Sequence, residues 1–166
     1  NTAVGLDSAG RTQLHHKGKL VIGVENTPTV IFDLMQFLVI DLGGVVGQIG
    51  MGQHGEEGGG RCKIKTADET ADIMVDALVK DLELQRGERV LLLINGSGAT
   101  TLMEQLLVYR RCVKHLADLG IEVAANYVGE LLTTQEQAGF QMSMVRMNDQ
   151  LLEYWNAPCN TAYFKK

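Results

Sequence analysis

The residues best equipped for chemistry lie in one glycine-rich stretch, Gly50-Met51-Gly52-Gln53-His54-Gly55-Glu56-Glu57-Gly58-Gly59-Gly60-Arg61. Six of these twelve residues are glycine. Glycine loses more backbone freedom on folding than any other residue, so this density points to sharp turns or to close approach of the backbone to something else. His54 stands among small neighbours, where a bare imidazole can act on a small ligand that reaches it. A surface loop with an incidental histidine has the same composition, and composition leaves both readings open.

The other reactive side chains have plainer explanations. His15-His16 has no carboxylate or third histidine at ligand spacing, so it reads as an exposed loop and no metal site is expected. Cys62, Cys112 and Cys159 are odd in number and far apart, without Cys-x-x-Cys spacing. They read as thiols kept in a reducing cytoplasm. Asn95-Gly96-Ser97-Gly98-Ala99-Thr100-Thr101 joins an apolar run to a helix, the geometry that presents phosphate to a helix N-terminus. It lacks the Lys-Ser/Thr of a P-loop and the full Gly-x-Gly-x-x-Gly of a dinucleotide site, so a tight packing turn is the favoured reading. His115, late in that helix, suits a surface or helix-dipole role.

These groups need elements to hold them. Lys19 to Glu25 and Gln36 to Asp41 are β-branched, apolar runs of strand length, and Thr2 to Leu6 is a shorter one. Asn26-Thr27-Pro28 is a turn signal. Thr66-Ala67-Asp68-Glu69 is a capping box that starts a helix, with Asp68, Glu69 and Asp72 suited to the positive end of its dipole. Ile73, Met74, Ala77, Leu78 and Leu82 form its predicted apolar face. Val90 to Ile94 is an uninterrupted apolar run, as in a strand covered on both faces. A helix over 101–119 follows, with Leu102, Leu106, Tyr109 and Val113 as its predicted stripe and Gly120 as its C-terminal cap. Ile121 to Val128 is a further strand. Thr134 to Ala138 predicts a short helix closed by Gly139, and Phe140 to Met147 a half-buried antiparallel strand with core-filling methionines. Asn148 caps a last helix, stopped by Ala157-Pro158, and the tail to Lys166 is expected to run extended.

The alternation of strand and helix between Ile64 and Leu119, broken by strand-rich ends, predicts an α/β fold: a two-layer domain with a mixed β-sheet covered by helices. Residues 1–166 read as a single domain, large enough to bury a core. A net charge of −5 with interspersed signs argues against a nucleic-acid or anionic-membrane surface, and no apolar run is long enough to span a bilayer. The chain begins at Asn1 without an initiator methionine, as a fragment or a processed product would.

Read together, the motifs resemble the dihydroxyacetone kinase K subunit family. Gly50-Met51-Gly52-Gln53-His54-Gly55-Glu56 is similar to that family's Gly-x-Gly-x-His-Gly-Glu signature. The similarity continues in family order through Lys65-Thr66-Ala67-Asp68-Glu69, Asn95 to Glu104, Gln137-Ala138-Gly139-Phe140 and Trp155 to Thr161. It covers about residues 49 to 166, the C-terminal half of such a subunit. Each piece alone is weak; their ordered combination is specific.

The resemblance implies that His54 is the substrate histidine, an imidazole that adds to the ketone of dihydroxyacetone and holds it as a covalent hemiaminal. Gly52 and Gly55 would leave room for the small polyol. Capture of this kind discriminates against glycerol, which has no carbonyl to attack. The resemblance further implies a homodimer, a cytoplasmic location, no cofactor bound by this chain, and a phosphoryl donor (ATP or a nucleotide-bearing subunit or domain) supplied from elsewhere. Three departures stand out. Glu57 and a triple glycine follow the His-Gly-Glu where many members have proline, a variant closer to a subgroup for which erythrulose is a plausible substrate. Residues 7–47 do not match the pattern. The family's N-terminal lobe, with its Gly-Gly-Gly-Ser-Gly-His segment and its acid–base aspartate and histidine, has no counterpart here. The expectation is therefore a chain that captures a ketose without phosphorylating it efficiently by itself. A non-catalytic ketose sensor acting by protein contact fits the same departures.

Overall fold

The computed structural model describes residues 19–22, 30–41, 46–49, 61–63, 65–133 and 135–166. Ten elements follow in order: β1 (Lys19–Ile22), β2 (Val30–Asp41), β3 (Val46–Ile49), β4 (Arg61–Lys63), α1 (Ala67–Asp81), β5 (Arg89–Gly96), α2 (Leu102–Leu119), β6 (Glu122–Gly129), β7 (Gly139–Met147) and α3 (Asp149–Asn156). The sheet order is β4-β3-β2-β7-β5-β6, with β1 paired to the first residues of β2. Among the described strands β5 and β6 run parallel, joined through α2, and the other strand pairs are antiparallel. The mixed sheet expected from the broken alternation is the one observed.

Helix starts follow the local chemistry of the chain. At α1 the Thr66 hydroxyl accepts from the Glu69 amide at 3.2 Å, and the Glu69 carboxylate accepts from the Thr66 amide at 2.9 Å. Two otherwise orphaned donors are thereby satisfied. A second capping box, Thr101 with Glu104, starts α2 in the same way. Gly120 ends α2 at φ 77°, a left-handed conformation that disfavours a Cβ. Replacing Thr66 by alanine is expected to cost about 1 kcal/mol, as N-cap losses typically do. A urea midpoint unchanged from the parent would show that tertiary packing alone sets the start of α1.

The core has two parts, one on each face of the sheet. On one face, Ala71, Met74, Val75 and Leu78 of α1 and Val108, Cys112 and Leu116 of α2 pack on Val90, Leu92 and Ile94 of β5 and Phe140, Met142 and Met144 of β7. On the other, Leu91, Ala125 and Met147 pack against Leu151 of α3, with Trp155 and Leu152 at the margin. Alternate residues of β5 thus enter different clusters, which is why its sequence is continuously apolar.

Several expectations need correction. β7 is not half-buried: it lies between β2 and β5 with helices over both faces, and residues 139–144 are all buried. The α2 stripe is rotated by about one residue: Gln105, Val108, Cys112 and Leu116 are buried, and Leu102 and Leu106 are exposed. On α1, Ala71 and Val75 are buried and Ile73 is exposed. β2 starts at Val30, six residues before the expected run, because its first half pairs with β1 and its second with β7. Among the described residues of 134–138 there is no helix; Gln137 instead bridges Gly98. The tail folds back on itself, with Cys159 and Lys166 exchanging backbone hydrogen bonds, Phe164 set edge-on to Tyr127, and the Lys166 ammonium above Trp155. The strand expected over 2–6, the turn over 26–28 and the His15-His16 loop lie outside the described residues.

Charged side chains stitch α1 to α2. Arg111 grips both oxygens of Asp72, at 2.7 Å each, and Arg110 pairs with Asp68. His115 occupies this seam, with Nε2 2.7 Å from Asp76 Oδ1 and Nδ1 3.8 Å from Asp72 Oδ1, so it is neither a free surface group nor a dipole cap. The Arg111 hydrogen bonds hold the Asp72 carboxyl below its usual pKa, against the opposing effect of desolvation. A carboxyl depressed in the folded state stabilises fully above its unfolded pKa, near 4, and that contribution is lost as pH falls through the folded value. Acid unfolding below about pH 4 is therefore expected to be less steep in Arg111→Met than in the parent. Circular dichroism across pH 2 to 5 checks this; identical acid limbs would leave the pair without a role in stability.

Candidate functional site

Hydrogen-bond register brings the ends of several elements into one band. Gly96, the last residue of β5, pairs with Phe140, Phe140 with Val39, and Val39 with Ile49, the last residue of β3. Ile49 directly precedes the glycine-rich stretch. β3 and β4 are antiparallel neighbours, with Gln48 opposite Arg61, so the two ends of the connection that contains His54 are held side by side. The β5–α2 turn lies in the same band, three strand spacings or about 14 Å along the sheet. Its place also follows a general rule: sites in α/β sheets gather beyond the carboxyl ends of parallel strands, and β5 and β6 are the parallel pair. Gly52, His54 and Gly55, the residues expected to bind substrate, lie outside the described residues.

The β5–α2 turn is built around Asn95, only 3% exposed. Its Oδ1 accepts from the amides of Leu131 and Leu132, at 2.6 and 2.9 Å, and its Nδ2 donates to the Leu132 carbonyl at 2.6 Å and the Gly96 carbonyl at 3.0 Å. One carboxamide thereby fastens the segment that follows β6 onto the end of β5. Backbone bonds complete the junction: Ser97 donates to the Gly139 carbonyl and Ala99 to the Gln137 carbonyl, both at 3.1 Å. Gly98, at φ 108°, takes a conformation that side chains strongly disfavour.

Gln105 closes the turn from beneath. It is 1% exposed, and its Nε2 donates to the Thr100 carbonyl at 3.0 Å. A Cβ on Gly96 would fall inside the contact radius of Gln105 Nε2 and 3.0 Å from Glu130 Oε1. Gly96→Ala is therefore expected to cost about 1–3 kcal/mol, the usual range for overpacking a closed interior. Thermal melting checks it; an unchanged midpoint would mean that the Gln105 side chain moves aside freely.

At the N-terminus of α2 the Glu104 carboxylate accepts from the Thr101 hydroxyl at 2.7 Å and from the Thr101 amide at 2.8 Å, and these bonds hold its pKa down. A carboxylate of the chain itself thus sits at the positive end of the α2 dipole. The packing-turn reading of Asn95 to Thr101 accounts for what is seen. Cys112 is fully buried and its thiol is pushed up to about 12 by desolvation, which makes it a core residue and not a nucleophile. Among the described residues, no group of three or more His, Cys, Asp or Glu side chains is placed to hold a metal ion, and no helix is long and apolar enough to cross a membrane.

Sequence reasoning missed Asn95, Gln105, Gln141 and Ser143, all buried polar residues. A signal existed for two of them. Asn95 is a polar residue placed directly after a five-residue apolar run, and Gln105 sits in helical register with Val108, Cys112 and Leu116.

Comparison with known proteins agrees with this framework. Residues 41–163 match the Dak1 domain, and the chain belongs to that family. It is 36% identical over 118 residues to the dihydroxyacetone-binding subunit DhaK of the PTS-dependent dihydroxyacetone kinase 2 of Listeria innocua, covering 71% of this chain and 36% of that protein. It is 34% identical over 122 residues to an L-erythrulose kinase of Pectobacterium atrosepticum, covering 71% of this chain and 21% of that protein. The chain thus spans about a third or less of these relatives. A solved structure concerned with regulation of the dha operon of Lactococcus lactis superimposes with a TM-score of 0.67 at 26% identity, over 75% of this chain and 40% of that one. The dihydroxyacetone kinase of C. freundii in complex with AMP-PNP and Mg2+ shares the fold, with a TM-score of 0.60 at 18% identity.

Proposed function

We propose that this chain is the substrate-binding part of a ketose kinase, holding dihydroxyacetone or a short homologue such as erythrulose as a hemiaminal on His54. The observation that carries the reading is the Dak1 match, which runs through the glycine-rich stretch and on to the C-terminal tail. The relatives named for dihydroxyacetone and for erythrulose support a short ketose as the ligand class.

In the proposed step an imidazole nitrogen attacks the ketone carbon. The C=O π electrons move to oxygen, which takes up a proton, and the imidazole gives up its N–H proton. An N–H and a C=O become an N–C and an O–H, with no leaving group and no redox change. The adduct keeps the substrate's hydroxyls, one of which then accepts a phosphoryl group. The donor is ATP or a nucleotide-bearing partner subunit or domain, and Gly52 and Gly55 supply space beside the ring. We place the assembly in the cytoplasm, as a homodimer.

The test is a ¹³C spectrum of dihydroxyacetone labelled at its carbonyl. Binding as proposed moves that resonance from the ketone to the sp³ region; a bound but unshifted ketone would sink the covalent reading. A second reading is favoured by the likeness to the Lactococcus lactis structure: a ketose-sensing regulator or co-activator without turnover. Incubation with a nucleotide-bearing kinase subunit and donor separates the two. Ketose-dependent phosphorylation supports the kinase role, and partner binding without product supports the sensor.

A further inference from the structure

We draw no further inference here: the strongest candidate, the apolar patch of Leu102, Met103, Leu106 and Leu107 exposed on the first turns of α2, carries none because nothing in the structure shows what covers it.

Discussion

His54→Ala is expected to abolish covalent capture of dihydroxyacetone while leaving the fold intact. Reversible addition to a ketone needs an uncharged nucleophile, which a neutral imidazole supplies. Alanine supplies none, so the loss should be complete and not graded. Glycerol should fail to compete with dihydroxyacetone in the parent, because hydroxyl contacts without a carbonyl cannot form the adduct. The measurement is the labelled-carbon spectrum, paired with circular dichroism to confirm folding. An sp³ signal of equal intensity in His54→Ala would remove His54 from the mechanism. Loss of the signal together with loss of helix content would implicate the fold instead, and His54→Gln would then be the variant to compare.

Asn95→Ala is expected to be the most destabilising single change in the β5–α2 junction. Truncation leaves the Leu131 and Leu132 amides and the Leu132 carbonyl without their partner. A buried group left unsatisfied costs about 1–3 kcal/mol, and water entering the junction would recover part of that. A net loss of about 3 kcal/mol corresponds to a fall of roughly 6–12 °C in melting temperature for a chain of this size. A drop below about 1 °C would show that the two turns hold their positions without the carboxamide. Amide exchange at residues 131 and 132 gives an independent reading, since both N–H groups should lose protection in the variant even where global stability is partly restored.

The two experiments probe different levels of the molecule. His54 is proposed to carry the chemistry, whereas Asn95 fastens the carboxyl end of β5, in the band from which the His54 connection leaves the sheet. A variant at Asn95 that keeps ketose capture but melts earlier would show that the junction serves the fold alone. One that folds at low temperature yet captures poorly would tie the junction to ketose capture.

Much of this protein was legible one segment at a time. The capping box at Thr66, the left-handed Gly120 and the Asn148 cap are local hydrogen-bond and backbone effects, and each appears where the residues predict it. The doubly covered β5 was legible because five successive apolar residues have no other economical use. The ordered motifs from residue 49 onward carried the family resemblance, which the Dak1 match bears out. Gly52, His54 and Gly55 stand on that resemblance and on the chemistry of imidazole with ketones.

Other features depended on contacts between distant segments. Phe140 to Met147 alternates enough to suggest one wet face, but its neighbours are β2 and β5, and a strand in the middle of a covered sheet is dry on both sides. On α2 two apolar stripes compete, and the sequence favoured the one containing Leu102 and Leu106. Packing into the core shared with α1, β5 and β7 selected the other, burying Val108, Cys112 and Leu116, while the Gln105 carboxamide donates to the Thr100 carbonyl. The sequence by itself determined where α1, α2 and α3 start, that β5 is dry on both faces, and which imidazole stands among glycines, since those depend on neighbours a few residues away. Only the tertiary structure decided which face of α2 is buried, that β7 is central, and that Asn95 clamps residues 131 and 132. Those outcomes depend on hydrogen bonds and packing between segments tens of residues apart, which no local pattern encodes.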